Sequence, residues 1–423
     1  MRIIHINAIH EEKSTGRICK ELSVIAEQQG HESSVAYATG PETGTGFHIG
    51  SDFDQKRHAL LSRITGKQGY YSKHATEELV EYLTDQRPDI VHLHNLHSNY
   101  LHFETLFSWL SKTDTATVMT LHDCWFYTGK CTHYSKTGCD RWMTGCGSCP
   151  RLALDNPSWV FDRTAEMWAD KKRWFEQIPR LAVVGVSDWI TNEARLSFLG
   201  QAPILRRIYN WVDTSLFHPR DTSVLRHRLG LEDRYILLGV ASSWDDSKGL
   251  ADWITLANRL PEVSILLVGE MKEENLPSNI LSIPPTNRVE ELAEYYALAD
   301  LFLNLSQEES FGKVTAEALA SGTPVIVLEA TANPELVPAA CGFTVPPNDW
   351  KGLIEAIRHA RSNGKAAYGD ACVRHAHREF KMEDRINDYL AVYAQLMNGK
   401  GRDSTWHSPS SPSSSRSTME QTI

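Results

Sequence analysis

Two glutamates, a glycine and a strongly apolar helix stand together in SQEESFGKVTAEALASGTP, residues 306–324. The segment reads as the end of a buried strand at Leu305, a short polar loop, and a helix opening at Phe311-Gly312. A helix N-terminus presents unpaired N–H groups and the positive end of its dipole, which together suit a diphosphate. Gly312 would let the backbone approach that group closely. Glu317 lies further along the helix among Ala316, Ala318, Leu319 and Ala320. A carboxylate on so apolar a helix needs partners, and the two hydroxyls of a ribose would satisfy both its oxygens. The plainer alternative is a solvated residue on the outer face.

A second group of residues ends another buried run, ATVMTLHD (116–123). Asp123 beside His122 would fix the tautomer of the imidazole, which suits a hydrogen-bond donor or a proton relay. With 18 histidines in the chain, a packing role is the plain alternative. His92, His94 and His97 alternate along a strand end; the spacing invites a metal, but packing and pocket lining is the preferred reading. Asp52-Phe53-Asp54 has the form of a metal-binding pair of aspartates. It precedes Gln55-Lys56-Arg57 in a helix-like segment and reads as a solvated helix start, so no catalytic metal is expected.

Five of the eight cysteines lie between Cys124 and Cys149. In a reducing compartment such clusters bind metal more often than they form disulfides. The loop holding Cys131, Cys139, Cys146 and Cys149 is rich in Gly, Thr and Ser and has no apolar period, so packing alone would not order it. A structural zinc bound by these four thiolates would, and Cys146-x2-Cys149 is the usual chelating unit. The outer spacings are irregular, which keeps unmetallated or disulfide-paired thiols and an iron–sulfur cluster as alternatives. Cys124 directly follows His122-Asp123 and is expected at the mouth of the site.

The elements that must position these groups alternate from end to end. Apolar runs at 2–8, 33–39, 89–96, 116–123 and 181–187 read as strands, with helical patterns at 15–30 and near 73–86, 100–112 and 160–177. After a break from Ala202-Pro203 to Pro219 the alternation restarts, with strands at 235–242, 263–270, 300–306 and 324–329. Such a pattern gives parallel, doubly wound sheets, whose ligands bind beyond the carboxyl ends of the strands. At 423 residues two domains are expected: 1–205, containing the cysteine-rich loop 122–160, and 206–380. The segment 401–423 is rich in Ser and Pro and reads as a disordered tail.

Composition bounds the partners. The chain is 41% hydrophobic and 23% charged, as in a soluble globular protein. No apolar run approaches the ~20 residues of a membrane span, and the N-terminus lacks the apolar core of a signal peptide, so a cytoplasmic location is expected. A net charge of −10 argues against nucleic acid as the main partner. The surplus negative charge lies after residue 220, which leaves the first half free to touch the inner face of an anionic membrane.

The 306–327 block resembles the donor-site signature of retaining GT-B glycosyltransferases of family four. Other stretches are similar in the same order: Thr15-Gly16-Arg17 to a glycine-bearing loop after the first strand, Gly30-His31-Glu32 to the step into the second, and Tyr209 through Pro219 to the interdomain linker. The HDCW…GCxxCP stretch resembles a subgroup found in bacterial exopolysaccharide, capsule and O-antigen synthesis. Resemblance covers residues 1–398. It implies two Rossmann-like domains facing a cleft, with a helix over 381–398 crossing back to the first. It also implies a nucleotide sugar donor, UDP- or GDP-linked, and a saccharide or polyprenyl-diphosphate-linked saccharide acceptor.

Carried over, Glu309 would hydrogen-bond the donor sugar, Glu317 the ribose, and Lys248 would neutralise the diphosphate, with Gly16, Arg17, Ser310, Phe311 and Gly312 around it. His122 would lie beside the transferred sugar. One departure stands out: Ser243 occupies the place of the family's arginine five residues before Lys248, so either another cation, Arg207 or Arg17, supplies that charge or the diphosphate is held less tightly. The rivals are a GT-B sugar-nucleotide epimerase, which would lack this linker and glutamate block, and a non-catalytic cysteine-cluster module.

Overall fold

In the computed structural model the described residues are 1–41, 46–244, 248–273, 275–286 and 288–399. The expected tail at 401–423 lies outside them. Two wholly parallel sheets are present. The first contains β1 (Arg2–Ile9), β2 (Glu32–Thr39), β3 (Phe47–His48), β4 (Ile90–Leu93), β5 (Ala116–Leu121), β6 (Leu181–Gly185) and β7 (Ile204–Arg207) in the order β3-β2-β1-β4-β5-β6-β7. The second contains β8 (Tyr235–Trp244), β9 (Val263–Met271), β10 (Ile280–Ile283), β11 (Leu301–Asn304), β12 (Val325–Leu328) and β13 (Gly342–Val345) in the order β10-β9-β8-β11-β12-β13. The inner strands β4, β5, β6, β11 and β12 are buried at every residue, as strands covered by helices on both faces must be. In each sheet the strand order reverses once, between β1 and β4 and between β8 and β11, and a crevice opens at that point.

The expected division at 205/206 falls inside β7, so the first sheet runs two residues further. The last described helix, Met382–Met397, does not stay with the second sheet. Its Ile386, Tyr389, Leu390, Tyr393 and Leu396 share one core with Ile3, Ile90, Val118 and Val184 of the first. The chain therefore crosses between the sheets twice, and the crossings lie side by side: Val212 bridges Lys381, and the Val212 amide donates to the Phe380 carbonyl at 2.8 Å.

The cysteine-rich stretch corrects the expectation that packing would leave it unordered. It folds into three short 3-10 turns, and Trp125, Phe126, Tyr127, Tyr134 and Trp142 sit in the main core. An irregular backbone has no period to show, so its aromatic residues bury without announcing themselves. Two buried lysines bind its carbonyls: Lys130 Nζ donates to Leu152, Leu154 and Asp155, and Lys171 Nζ to Trp125 and Thr128.

Candidate active site

The helix Lys313–Ala320 starts just beyond β11, at the reversal point of the second sheet. Gly312 caps it with φ 86°, a left-handed conformation that favours glycine. The preceding loop is pinned: the Glu309 amide donates to Thr331 Oγ1 at 2.9 Å, and Asn333 Nδ2 to the Ser306 carbonyl at 2.9 Å. Lys248, placed after β8 across the same reversal point, donates to Glu309 Oε1 at 3.0 Å. Lys248 and Glu309 thus meet beside this helix, and Glu317, further along it, is 2% exposed. Glu317 Oε2 accepts from the Tyr296 hydroxyl at 2.9 Å, while its Oε1 is buried without a partner. Burial raises the Glu317 carboxyl above its ordinary value, against the pull of Lys313, Arg17 and the Tyr296 hydroxyl. Phe311 is corrected in one respect: its ring is core, packed against Tyr209 and Phe380, so only its backbone is left to meet a ligand.

The first domain contributes the facing side. Thr15, Gly16 and Arg17 lie within the helix Lys13–Gln28, not in a loop. A Cβ on Gly16 would stand 3.1 Å from the Ile9 carbonyl, so glycine lets this helix close onto the end of β1. Arg17 acts electrostatically on Glu317, whereas Arg207 is engaged elsewhere, 3.3 Å from Asp188 and stacked on the Tyr209 ring. Of the two cations considered as substitutes for the residue missing at Ser243, Arg17 is the one beside the donor-side residues.

His122 follows β5 and meets the opposite domain directly, its backbone carbonyl accepting from the Ser310 hydroxyl. Its ring is 9% exposed, and burial lowers it to about 4, so it is neutral at pH 7. The expected pairing with Asp123 is not made. Asp123 binds His97 Nε2 at 2.8 Å and the Trp125 amide, and the partner of His122 Nε2 is His94 Nδ1 at 3.0 Å. His92 and His94 are fully buried, and Cys124, expected at the mouth of the site, is 0% exposed in the core.

Cys131, Cys139, Cys146 and Cys149 line one small cavity, into which the Gly129 amide donates to Cys146 Sγ at 3.2 Å. They do not close into a ligand set. Tetrahedral zinc thiolates stand about 3.8 Å apart, whereas the only trio of His, Cys, Asp or Glu ligand atoms within 4.8 Å of one another among the described residues is His5, His92 and His94. The zinc expectation for these four cysteines finds no support in this geometry.

Several polar residues at the interface went unread in the sequence. Glu308 accepts from the Lys136 amide at 2.9 Å and from Arg151 at 3.3 Å, tying the cysteine-rich stretch to the loop that carries Glu309. Glu335 accepts from the Asp188 and Trp189 amides at 2.6 and 3.0 Å, at the start of the first-domain helix Asp188–Leu196. Lys313 sits between Glu317 and Glu21. All three follow strand ends or open helices, but nothing in their spacing separates them from solvated charges.

Residues 15–216 match the model described as "Glycosyltransferase Family 4", and residues 234–363 the model "Glycosyl transferases group 1". Among curated relatives, the chain is 29% identical over 207 residues to a D-inositol 3-phosphate glycosyltransferase of Mycobacterium sp. (strain KMS), covering 45% of this chain and 47% of that protein. It is 33% identical over 105 residues to the putative colanic acid biosynthesis glycosyl transferase WcaC of Escherichia coli, 24% of this chain and 25% of that one. The chain thus matches about half, or less, of the length of these relatives. Anabaena HepE, solved in complex with UDP, superposes with a TM-score of 0.66 at 16% identity, over 93% of this chain and all of that one. The two facing sheets are those of the GT-B fold.

Proposed function

We infer that this chain, carrying a family 4 domain followed by a group 1 domain, is a glycosyltransferase. It would move a hexose from a UDP- or GDP-linked donor to a saccharide acceptor in bacterial surface polysaccharide synthesis. What supports this reading is the Lys248–Glu309 pair beside the Gly312-capped helix, with the half-unpartnered carboxylate of Glu317 further along that helix. In the reading, the Gly312-capped helix and Lys248 hold the diphosphate, Glu309 the sugar hydroxyls and Glu317 the ribose. The bond from the sugar carbon to the diphosphate oxygen breaks as a bond to the acceptor hydroxyl forms on the same face, with retention, and the hydroxyl proton passes to the departing phosphate. Lys248 stabilises the charge that accumulates there, and His122 orients the sugar from the opposite domain.

Lys248→Ala and Glu309→Ala should each lower turnover at least tenfold, ~1.4 kcal/mol of barrier. The pair is partly exposed, so its loss should leave the fold intact. Wild-type turnover in both variants would remove this site from the mechanism. A thermal-shift series with UDP, GDP and their sugars identifies the base, since a ligand at 100 times its Kd stabilises by about 2.7 kcal/mol.

A lipid-linked acceptor is favoured by one surface. Phe53, Leu60 and Ile64 are exposed on the helix Asp52–Thr65, and exposed Trp159, Val160 and Phe161 lie nearby with Arg63 over the Trp159 ring. Apolar side chains beside arginine suit an anionic bilayer surface. Flotation with phosphatidylglycerol vesicles should carry the protein, and Trp159→Ser with Phe161→Ser should release it; equal flotation of both proteins would rule out this patch, and a wild type that does not float would remove the membrane from the reading.

A further inference from the structure

Three imidazoles run in line across neighbouring strands of the first sheet. His5 lies on β1, His94 just past β4 and His122 just past β5. His5 Nδ1 is 3.1 Å from His94 Nε2, and His94 Nδ1 is 3.0 Å from His122 Nε2. The links are head to tail, each joining the Nδ1 of one ring to the Nε2 of the next. At the inner end His5 Nε2 is buried without a partner. At the outer end His122 Nδ1 has no hydrogen-bond partner among the described residues, which leaves it for a ligand beside the Ser310 contact.

A neutral imidazole has one ring N–H and one lone pair. Each link needs one of each, so a proton on Nδ1 of His5 requires one on Nδ1 of His94, and that in turn one on Nδ1 of His122. The opposite choice puts all three protons on Nε2. A mixed chain would set two lone pairs or two N–H groups against each other in the core. We propose that His94 and His5 are positioning residues that lock the plane and tautomer of His122, so that its open nitrogen shows a ligand one fixed hydrogen-bonding character. That this ligand is a sugar diphosphate rests on the glycosyltransferase reading; the lock itself does not.

Burial keeps the rings neutral over the working range, with His5 lowered to about 3 and His94 well below its ordinary value. Around His122, Asp123 acts to raise the ring and His97 to lower it, while burial outweighs both. A metal is the competing use of this cluster, because His5, His92 and His94 are close enough to share one. Their nitrogens are already engaged, however. His92 binds the Tyr393 hydroxyl and Thr120 Oγ1, both at 2.7 Å, and His94 binds a ring on each side, so His5 Nε2 is the one nitrogen of the three left open.

Long-range proton–nitrogen correlation spectra of histidine-labelled full-length protein read the tautomers without any donor or turnover. At pH 7 the expected result is one shared tautomer for His5, His94 and His122, with His122 not titrating above pH 5. Unlike tautomers within the trio, or a wild-type His122 titrating near 6.5, would overturn the proposal. So would stoichiometric Co²⁺ binding that shifts these three rings. In His94→Phe, His122 should become a tautomer mixture with a titration nearer 6.5, and kcat should fall about tenfold with KM for the donor changing much less. His94→Gln, whose amide can still meet His122 Nε2, should restore the single tautomer. If His94→Phe does not fold, the wild-type spectrum decides alone. A matching trio in a protein that turns over no nucleotide sugar would keep the lock and reject the glycosyltransferase reading.

Discussion

The carboxyl of Glu317 is held by one hydrogen bond from Tyr296 and otherwise enclosed. Its value is raised in the folded protein, chiefly by burial. An unfolded chain would release that proton at a lower pH, so folding is penalised as pH rises from the unfolded value through the folded one, and the penalty is absent in acid. Glu317→Gln should therefore raise Tm at pH 7–8 and change it little near pH 4. The same substitution should weaken UDP at least tenfold, ~1.4 kcal/mol, the size of a hydrogen bond to a charged group. Calorimetry at two pH values with a UDP titration checks both signs; a lower Tm at pH 8 together with unchanged UDP affinity would mean Glu317 serves only structure. Its place on an apolar helix was enough to single it out in the sequence. The burial of Phe311 and the diversion of Asp123 to His97 were not readable, because both depend on residues distant in the chain that a local pattern does not reveal.

The inner strands were legible because continuous Val, Ile and Leu runs admit few other readings. The edge strands β3, β7, β10 and β13 were not, being two to four residues long with too little pattern to register. The helix Met382–Met397 was placed by resemblance, and its packing now has a physical account in Tyr389 and Tyr393, whose hydroxyls reach Thr120 and His92 of the first sheet. Tyr393→Phe leaves a buried His92 nitrogen unpaired and should cost about 1–3 kcal/mol by chemical denaturation; no change in midpoint would show that the bond is replaced. The cysteine-rich stretch makes a contrasting case. With its aromatics in the core and its carbonyls bound by Lys130 and Lys171, elemental analysis of protein purified without chelator should find well under one zinc per chain. One zinc per chain, lost together with a Cys149→Ser change, would mean that the sulfurs draw closer than they stand in this structure.

At the scale of the molecule, the paired sheets could be anticipated from the restart of the β/α alternation, whereas the contacts between them could not. Glu308, Ser310 and Glu335 bridge to the first domain, yet in sequence they look like ordinary polar residues of loops. Glu335→Ala would strip two amides at the start of the helix Asp188–Leu196 of their acceptor, a loss of about 1–3 kcal/mol to the ligand-free closed arrangement. Small-angle scattering should then show a larger radius of gyration than wild type, with UDP bringing the two together; identical curves without ligand would show that this contact does not hold the domains.

The return of the last helix to the first sheet has a consequence for how the protein is made. On the ribosome, the face carrying Ile3, Ile90, Val118 and Val184 emerges early, but the Tyr389 and Tyr393 that cover it come after the whole second domain. At ~5–20 residues per second, that face waits ~10–40 s for its cover. The first half, though translated first, is thus the last to be completed. Nascent chains arrested before residue 382 should be cut by protease throughout that half, and chains extended past residue 399 should resist.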